Sequence, residues 1–294
     1  MFADHFLLEL STSMLILRET ACRDVEQQIN RVLQSTLTER KLPSFLSLGS
    51  NISLSDEFEN PFDAYEEGSI IVIPIIGTML KYGSWWTYGM DEMANFIRLA
   101  DASSKVAGTI LLSNTPGGTT QSVIQLEDAL RQRTKPCVGV VDGQCCSGGI
   151  YTLSFCDKIV ATNRMCEAGS IGTFAQIMDD SAALEKYGYK VKAIYPPESK
   201  YKNLEVRKAI EEDDDSLIIS ERLSPYACHF QNIIKNNRPN LDTTAEGILE
   251  GKVFYAYDAI KYGLIDSIMS INEAVKLVST MAEEKKSIYS QLKF

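Results

Sequence analysis

Histidine is almost missing from this chain: its 294 residues hold only His5 and His229. A Ser-His-Asp triad needs a histidine base. His5 lies in the N-terminal stretch, and His229 lies in a helical stretch where Tyr226 and Phe230 point to ordinary packing. A histidine triad is therefore not expected. No C-x-x-C pair occurs among the seven cysteines, Cys22, Cys137, Cys145, Cys146, Cys156, Cys166 and Cys228. An odd count without metal spacing reads as reduced, largely buried thiols of a cytosolic protein, with no disulfide framework and no zinc cage. Positive charge is also short. Lys plus Arg number 29 against 39 Asp plus Glu, for a net charge of −10, which argues against broad binding to nucleic acid or anionic membranes. Long apolar runs are absent too: the longest, Ile70 to Ile76, contains Pro74 and is far short of a membrane span. Phe6-Leu7-Leu8 is hemmed in by Asp4, His5 and Glu9 with no basic stretch before it, so no secretory leader is expected. The expectation is a cytoplasmic protein without a membrane anchor.

What is present has the pattern of an α/β protein. Residues 1–40 carry Val25, Ile29, Val32 or Leu33, and Leu37 at helical spacing, and are expected to be helical. Lys41 to Gly68, with Pro43, Pro61 and many acids, reads as a linker or a loosely packed connection. The domain expectation is a helical extension and linker over 1–67, a core over 68–283 and a frayed tail over 284–294. Within the core, strands are expected at Ile70–Ile76, Val106–Leu112, Cys137–Val141 and Lys158–Ala161. Pro74 suggests an edge or a bulge in the first of these. Helices are expected after Asp91 as a cap, at Thr119–Arg131 and after Ser147. This alternation means parallel βαβ units. Further strands are expected at Ile171–Met178 and Lys190–Tyr195, around a helix at Asp180–Tyr187. A long helical stretch is expected over Leu204–Asn236 with a kink or break at Pro225, and helices at Thr243–Leu249, Tyr257–Tyr262 and Ile271–Met281. The acidic run Glu211 to Asp215 reads as a solvated face and is assigned no metal. Trp85 and Trp86, in a loop from Gly83 to Gly89, either pack in the core or line a groove.

Three glycine-bearing turns carry the chemistry. Gly143-Gln144-Cys145-Cys146-Ser147-Gly148-Gly149-Ile150-Tyr151 runs from a strand into a helix. There a serine is presented with little steric cover beside free backbone N–H groups, or the small residues merely let the helix pack closely on the sheet. Asn114-Thr115-Pro116-Gly117-Gly118 is either a plain β-turn or a source of N–H groups for an oxyanion. Ala168-Gly169-Ser170-Ile171-Gly172 offers a serine that either caps or orients a neutral amine. With histidine scarce, a lysine is the remaining base of interest, as in Ser-Lys variants of the triad. An ordinary lysine, with a pKa near 10.4, is neutral only about one part in a thousand at pH 7.4, so such a base needs an apolar pocket.

Thr-Pro-Gly-Gly, then Cys-Cys-Ser-Gly-Gly-Ile-Tyr, then Ala-Gly-Ser-Ile-Gly-Thr, in this order and spacing, resemble the signal peptide peptidase A family of serine–lysine peptidases. That family includes the phage capsid proteases and shares the ClpP/crotonase fold. The similarity extends from Gly68 to Leu277. It implies that Ser147 is the nucleophile, that the N–H groups of Gly118 and Gly148 form the oxyanion hole, and that Ser170 orients the base. It also implies a base lysine within Glu198-Ser199-Lys200-Tyr201-Lys202-Asn203, where Lys202 before Asn203 fits best and Lys200 is the runner-up. Two positions depart from the family pattern. Ser113-Asn114 stands where an acid is common, which puts a structural contact in doubt, and Cys145-Cys146 replaces a pair of alanines.

The implied fold is α/β, ClpP/crotonase-like, with an N-terminal helical extension. The implied activity is that of a serine endopeptidase working through an acyl-enzyme, without cofactor or metal. Its implied partners are a protein or peptide substrate and further copies of itself, since family members form homo-oligomers and in some the serine and lysine meet across a protomer boundary. The helical preamble without an anchor matches the branch that processes phage capsid or scaffold proteins during head assembly. The alternatives are a cytosolic signal-peptide-peptidase-like protease that degrades peptides, a crotonase-type acyl-CoA enzyme, and a non-enzymatic scaffold. The acyl-CoA enzyme would need a carboxylate base and no Ser147. The scaffold would be marked by loss of the dyad, and both candidate residues are present.

Overall fold

The computed structural model describes residues 15–17, 46–47, 59–83, 88–177, 179 and 181–292. In chain order the elements are β1 (Leu15–Leu17), β2 (Leu46–Ser47), β3 (Ser69–Ile76), α1 (Met90–Ala102), β4 (Val106–Thr115), β5 (Gly117–Thr119), α2 (Ile124–Gln132), β6 (Cys137–Cys146) and α3 (Gly148–Leu153). There follow β7 (Lys158–Ala161), β8 (Glu167–Gly169), α4 (Ser181–Lys186), α5 (Leu204–Glu211), α6 (Ser216–Ile218), α7 (Ser224–Asn237), β9 (Val253–Tyr255), α8 (Ala256–Lys261), β10 (Ser267–Ile268) and α9 (Ile271–Leu292).

The central sheet runs β10-β7-β6-β4-β3-β2, with β8 added beside the upper part of β6 and β9 beside β8. Its pairs are parallel except β2 with β3 and β8 with β9. Both faces are covered, so the strands read as continuous apolar runs, and alternate residues serve opposite layers. Ile70 and Val72 pack with Ile110, Val138 and Val160 against Ala274 and Val278 of α9. Ile71, Ile73 and Ile75 point the other way, into a larger core with Met93 and Ile97 of α1, Leu126 and Leu130 of α2, Tyr151 of α3 and Phe230 of α7. Each such isoleucine contributes about 1.5–3 kcal/mol when fully buried.

Strand β6 divides in two. Val138–Val141 pairs with β7, whereas Gln144–Cys146 pairs with β8. The sheet thus splays at its C-terminal end, where ligands collect in α/β folds, and Ser147 stands at the top of the split. Five cysteines expected to be buried are so: Cys137, Cys145, Cys146, Cys156 and Cys166. Cys228 is exposed, and Cys22 lies outside the described residues.

Several expectations need correction. Ile171–Met178 and Lys190–Tyr195 are not strands: residues 171–177 and 189–196 are irregular apart from a single bridge at Phe174. The strand in that region is β8, because Glu167–Gly169 has β6 and β9 to pair with, while residues 181–203 are exposed almost throughout and find no sheet edge. The stretch from Leu204 is broken by a turn at Asp213, where φ is +53°, then by a π-helical segment at Ile219–Leu223. Pro225 sits in the first turn of α7, directly after the π-helical segment Ile219–Leu223, so the break expected at Pro225 falls just before it, where the missing N–H removes a helical bond. Thr243–Leu249 is a series of turns. Helix α1 begins before Asp91: Glu92 accepts a hydrogen bond from the Gly89 N–H at 2.9 Å, closing the first turn. Helix α9 continues to Leu292, past the point expected to fray. Of the stretch expected to be helical at 1–40, Leu15–Leu17 is a strand and the remainder lies outside the described residues, as do Trp85 and Trp86. Pro74 does lie on a stretch of β3 that pairs only with β4 among the described residues, and the irregularity in that pairing falls at Ser69/Ile70.

Candidate active site

Ser147 lies between the last residue of β6 and the first of α3. Its backbone takes φ 51° and ψ −117°, a sparsely populated conformation that costs a non-glycine residue on the order of 1–3 kcal/mol. Two bonds hold it there, and a third fixes the neighbouring Ser170. The Ser147 N–H donates to the Gly169 carbonyl at 2.8 Å, the Ser147 carbonyl accepts from the Tyr151 N–H at 3.0 Å, and Ser170 next in β8's path donates its N–H to the Lys252 carbonyl at 2.9 Å. The serine is 1% exposed, and its Oγ has no hydrogen-bond partner among the described residues. A buried hydroxyl without a partner carries a desolvation cost of about 1–3 kcal/mol. Strain and an unpartnered Oγ in one residue make Ser147 a candidate site residue.

Helix α3 packs against β5 and β4, which brings Ser147 up to the second glycine turn. Gly118 sits in β5 with its neighbours bound to Met79: the Met79 N–H donates to the Gly117 carbonyl at 2.8 Å, and the Thr119 N–H donates to the Met79 carbonyl at 3.0 Å. A Cβ on Gly118 would stand 1.7 Å from the Met79 oxygen, so only glycine fits. Polar groups of successive strand residues alternate between the two edges. Since Gly117 and Thr119 turn theirs to Met79, the Gly118 N–H faces the opposite edge. Thr115 braces the turn, its Oγ1 donating to the Gly77 carbonyl at 2.5 Å and accepting from the Gly117 N–H at 3.1 Å. Met79 and Thr115 were not among the residues singled out from sequence. Met79 acts through its backbone on Gly117 and Thr119, and Thr115 through its hydroxyl on the backbone of Gly77 and Gly117; only the turn's Thr-Pro-Gly pattern hinted at the second.

Asn114, which stands where an acid is common, makes a contact to the Ser147 turn. Its Oδ1 accepts from the Gln144 N–H at 3.3 Å, a bond that asks only for a carbonyl-type oxygen. Beneath the serine, Tyr151 anchors the helix. Its hydroxyl donates to the Glu127 carboxylate of α2, lies 3.3 Å from His229 Nε2, and its ring packs edge-on against Phe230 at 5.1 Å. Burial, followed by the bond to Glu127 and that group's charge, pushes the Tyr151 hydroxyl well above its ordinary pKa. Tyr226 nearby is pushed up to about 12, by burial first and then by Glu127. His229 is exposed and serves this packing cluster.

The structure therefore brings Ser147, Gly118, Gly148 and Ser170 to one place. Among the described residues it brings no lysine side chain within hydrogen-bond reach of the Ser147 Oγ. Lys200 and Lys202 are both exposed; Lys200 Nζ lies over the Tyr201 ring at 5.1 Å, and the unpartnered Ser147 Oγ has neither lysine within hydrogen-bond reach.

A strained serine at a strand-to-helix turn, beside the β5 edge onto which the Gly118 N–H faces, is an arrangement compatible with a nucleophilic serine enzyme built on an α/β sheet. Peptidase family S49 matches residues 129–286, more than half of the chain, and the protein belongs to that family. The chain is 25% identical over 221 residues to "Protease 4" of Haemophilus influenzae, covering 74% of this chain and 35% of that protein. It is 27% identical over 203 residues to "Putative signal peptide peptidase SppA" of Enterococcus faecium, covering 68% and 57%, and 26% identical over 257 residues to "Capsid assembly protease C" of Escherichia phage lambda, covering 81% and 56%. The chain thus spans between about a third and just over half of these relatives' own lengths. Among solved structures, the 1510-N membrane protease specific for a stomatin homolog from Pyrococcus horikoshii is similar with a TM-score of 0.45 at 16% identity, over 72% of this chain and 79% of that one. The ClpP/crotonase-like expectation is borne out by the parallel sheet and the family. No helix among the described residues is long and apolar enough to cross a membrane.

Proposed function

We propose that this S49 peptidase is an endopeptidase in which Ser147 attacks the substrate carbonyl, the N–H groups of Gly118 and Gly148 receive the oxyanion, and Lys202 is the base, oriented by Ser170. The observation that carries the reading is Ser147 itself: strained at φ 51°, buried and with its Oγ unpartnered. In the reaction Oγ–C bond formation passes the serine proton to the lysine, which returns it to the leaving amine; water then hydrolyses the acyl-enzyme.

A base lysine has to be desolvated to be neutral near pH 7, and Lys202 stands on an exposed arm. The same arm carries Tyr187, Val191, Ile194 and Tyr201 at 79%, 77%, 79% and 72% exposure. Large apolar side chains displayed in a row mark a protein interface. A second copy of the chain is the occupant this reading assigns, so that one copy's arm delivers Lys202 to the next copy's Ser147. The names of two relatives, "Capsid assembly protease C" and "Head-tail preconnector protein GP5" of Enterobacteria phage P21, favour capsid or scaffold proteins as substrate, within the cytoplasm of the host cell. The alternative is a signal-peptide-peptidase-like role in degrading peptides.

The test is Ser147→Ala together with labelling by a serine-directed fluorophosphonate. The wild type should be labelled once per chain and hydrolyse unfolded protein, and the variant should do neither while keeping its melting temperature and oligomer size. Equal hydrolysis by the variant would overturn the assignment. Absence of labelling together with measurable coenzyme A binding would favour the acyl-CoA reading.

A further inference from the structure

Strand β1 lies on the candidate site. Leu15–Leu17 pairs antiparallel with β5 in the register Leu15 to Thr119, Ile16 to Gly118 and Leu17 to Gly117. The far edge of β5 is taken by Met79, which binds Gly117 and Thr119. The N–H and C=O of Gly118 therefore face β1, and their partner across the ladder is Ile16. The N–H that the peptidase reading reserves for an oxyanion is thus covered by a backbone segment of the same chain. An extended peptide added to a free sheet edge is a common mode of peptide recognition, in which main-chain bonds provide affinity. Met14-Leu15-Ile16-Leu17 is an apolar tetrapeptide set between Ser11-Thr12-Ser13 and Arg18-Glu19, and no other described segment pairs with that edge of β5.

From this we infer that the edge of β5 at Gly118 is a docking strand for extended, apolar peptide, and that the chain's own Leu15–Leu17 occupies it as an intramolecular competitor of substrate. The inference rests on the peptidase reading for what the competitor displaces, but its structural half does not. While β1 is paired, Gly118 has no N–H to offer a substrate carbonyl; substrate enters only as β1 leaves. Occupancy lowers apparent affinity by the fraction of molecules with the edge free and leaves the chemical step untouched. The segment also names the class of peptide the edge accepts: extended backbone with consecutive aliphatic residues.

Ile16→Pro in the full chain tests this, because proline has no N–H for the ladder and is excluded from paired strand positions. The first readout needs no catalysis. Amide hydrogen exchange at Gly118, followed residue by residue by NMR, should speed up by about tenfold or more in the variant, whereas Thr119, bonded to Met79, should not change. The second readout is kinetic. KM for an unfolded-protein or apolar peptide substrate should fall several-fold with kcat unchanged, and a synthetic peptide spanning residues 11–21 should raise the variant's KM competitively. Equal Gly118 exchange in the two proteins would overturn the pairing. Faster Gly118 exchange with an unchanged KM would overturn the competition. If neither protein hydrolyses peptide or is labelled at Ser147, the peptidase reading has failed, and the Gly118 exchange alone then decides whether the edge is occupied.

Discussion

The backbone N–H of Ser147 donates to the carbonyl of Gly169 at 2.8 Å, so the position of Ser147 is set by a strand that arrives more than twenty residues later. Gly169 holds φ at +131°, and a Cβ there would come within 2.4 Å of the Lys252 carbonyl oxygen. Gly169→Ala is therefore strained in its backbone and pushed off β9 at once. It should cost on the order of 1–3 kcal/mol or more and slow fluorophosphonate labelling of Ser147. Gly172→Ala is the control: its nearest neighbour would be the Gly251 Cα at 3.9 Å, and its melting temperature and labelling rate should match the wild type. Thermal melts and labelling time courses on the two variants check this.

Tyr151→Phe keeps the ring that packs on Phe230 and removes the donor to Glu127. A hydrogen bond to a charged group is worth about 1.5–3 kcal/mol, and a loss of that order is expected in denaturant titrations. The Tyr151 pKa is raised in the fold, first by burial, so the stability it provides is present below the ordinary tyrosine pKa and declines as pH rises above it. The gap between variant and wild type should be flat from about pH 6 to 9 and should narrow above about pH 10.

The architecture was legible in the sequence wherever one segment alone carried its signal. Ile70–Ile76, Val106–Leu112 and Cys137–Val141 are short apolar runs rich in β-branched residues that read as buried strands, and the glycine turns after two of them pointed to the candidate site. What escaped was decided by distant partners. Glu167–Gly169 contains two small residues and no strand signal, and it is a strand because β6 splays and β9 arrives to pair with it. Ile171–Met178 and Lys190–Tyr195 had strand composition and found no edge. Met79 was invisible because it acts through its backbone, and Leu15–Leu17 read as helix by periodicity while its pairing with β5 is a long-range contact. The Ser147 and Gly118 turns are brought near each other by the packing of α3 on β5, as the family resemblance implied; the place of the lysine did not follow from the sequence.

Asp266 gives the fold an acid-labile tie. Its Oδ2 accepts from the Ile159 N–H at 2.7 Å and from Arg238 Nη1 at 2.9 Å, joining the start of β7 to the end of α7. Burial alone would raise its pKa, but the bonds from Arg238 and Ile159 and the charges of Arg238 and Lys158 outweigh it, and the carboxyl is held below its ordinary value. A depressed carboxylate pKa stabilises above the unfolded value, near 3.9, and that stability is lost as pH falls through the folded value. Asp266→Asn should lower stability at pH 7 by about 1.5–3 kcal/mol, and the gap to wild type should close as pH drops below about 4. Urea titrations from pH 7 down to pH 3 would show no convergence if the tie were not electrostatic.

The arm that carries Lys202 allows a test of where the dyad is assembled. Ser147→Ala and Lys202→Ala are each expected to be inactive alone. If the serine of one copy meets the lysine of the next, mixing the two and letting them reassemble creates sites with an intact serine from one parent and an intact lysine from the other. Random assembly gives about one such site in four in a symmetric oligomer, so peptidase activity should recover to about a quarter of wild type. If both groups come from one chain, no mixed site is complete and recovery stays at zero. Replacing Lys202→Ala by Lys200→Ala in the same experiment separates the two lysines: a Lys200→Ala protein that is active before mixing leaves Lys202 as the base, whereas loss of activity in Lys200→Ala alone would transfer the role to Lys200.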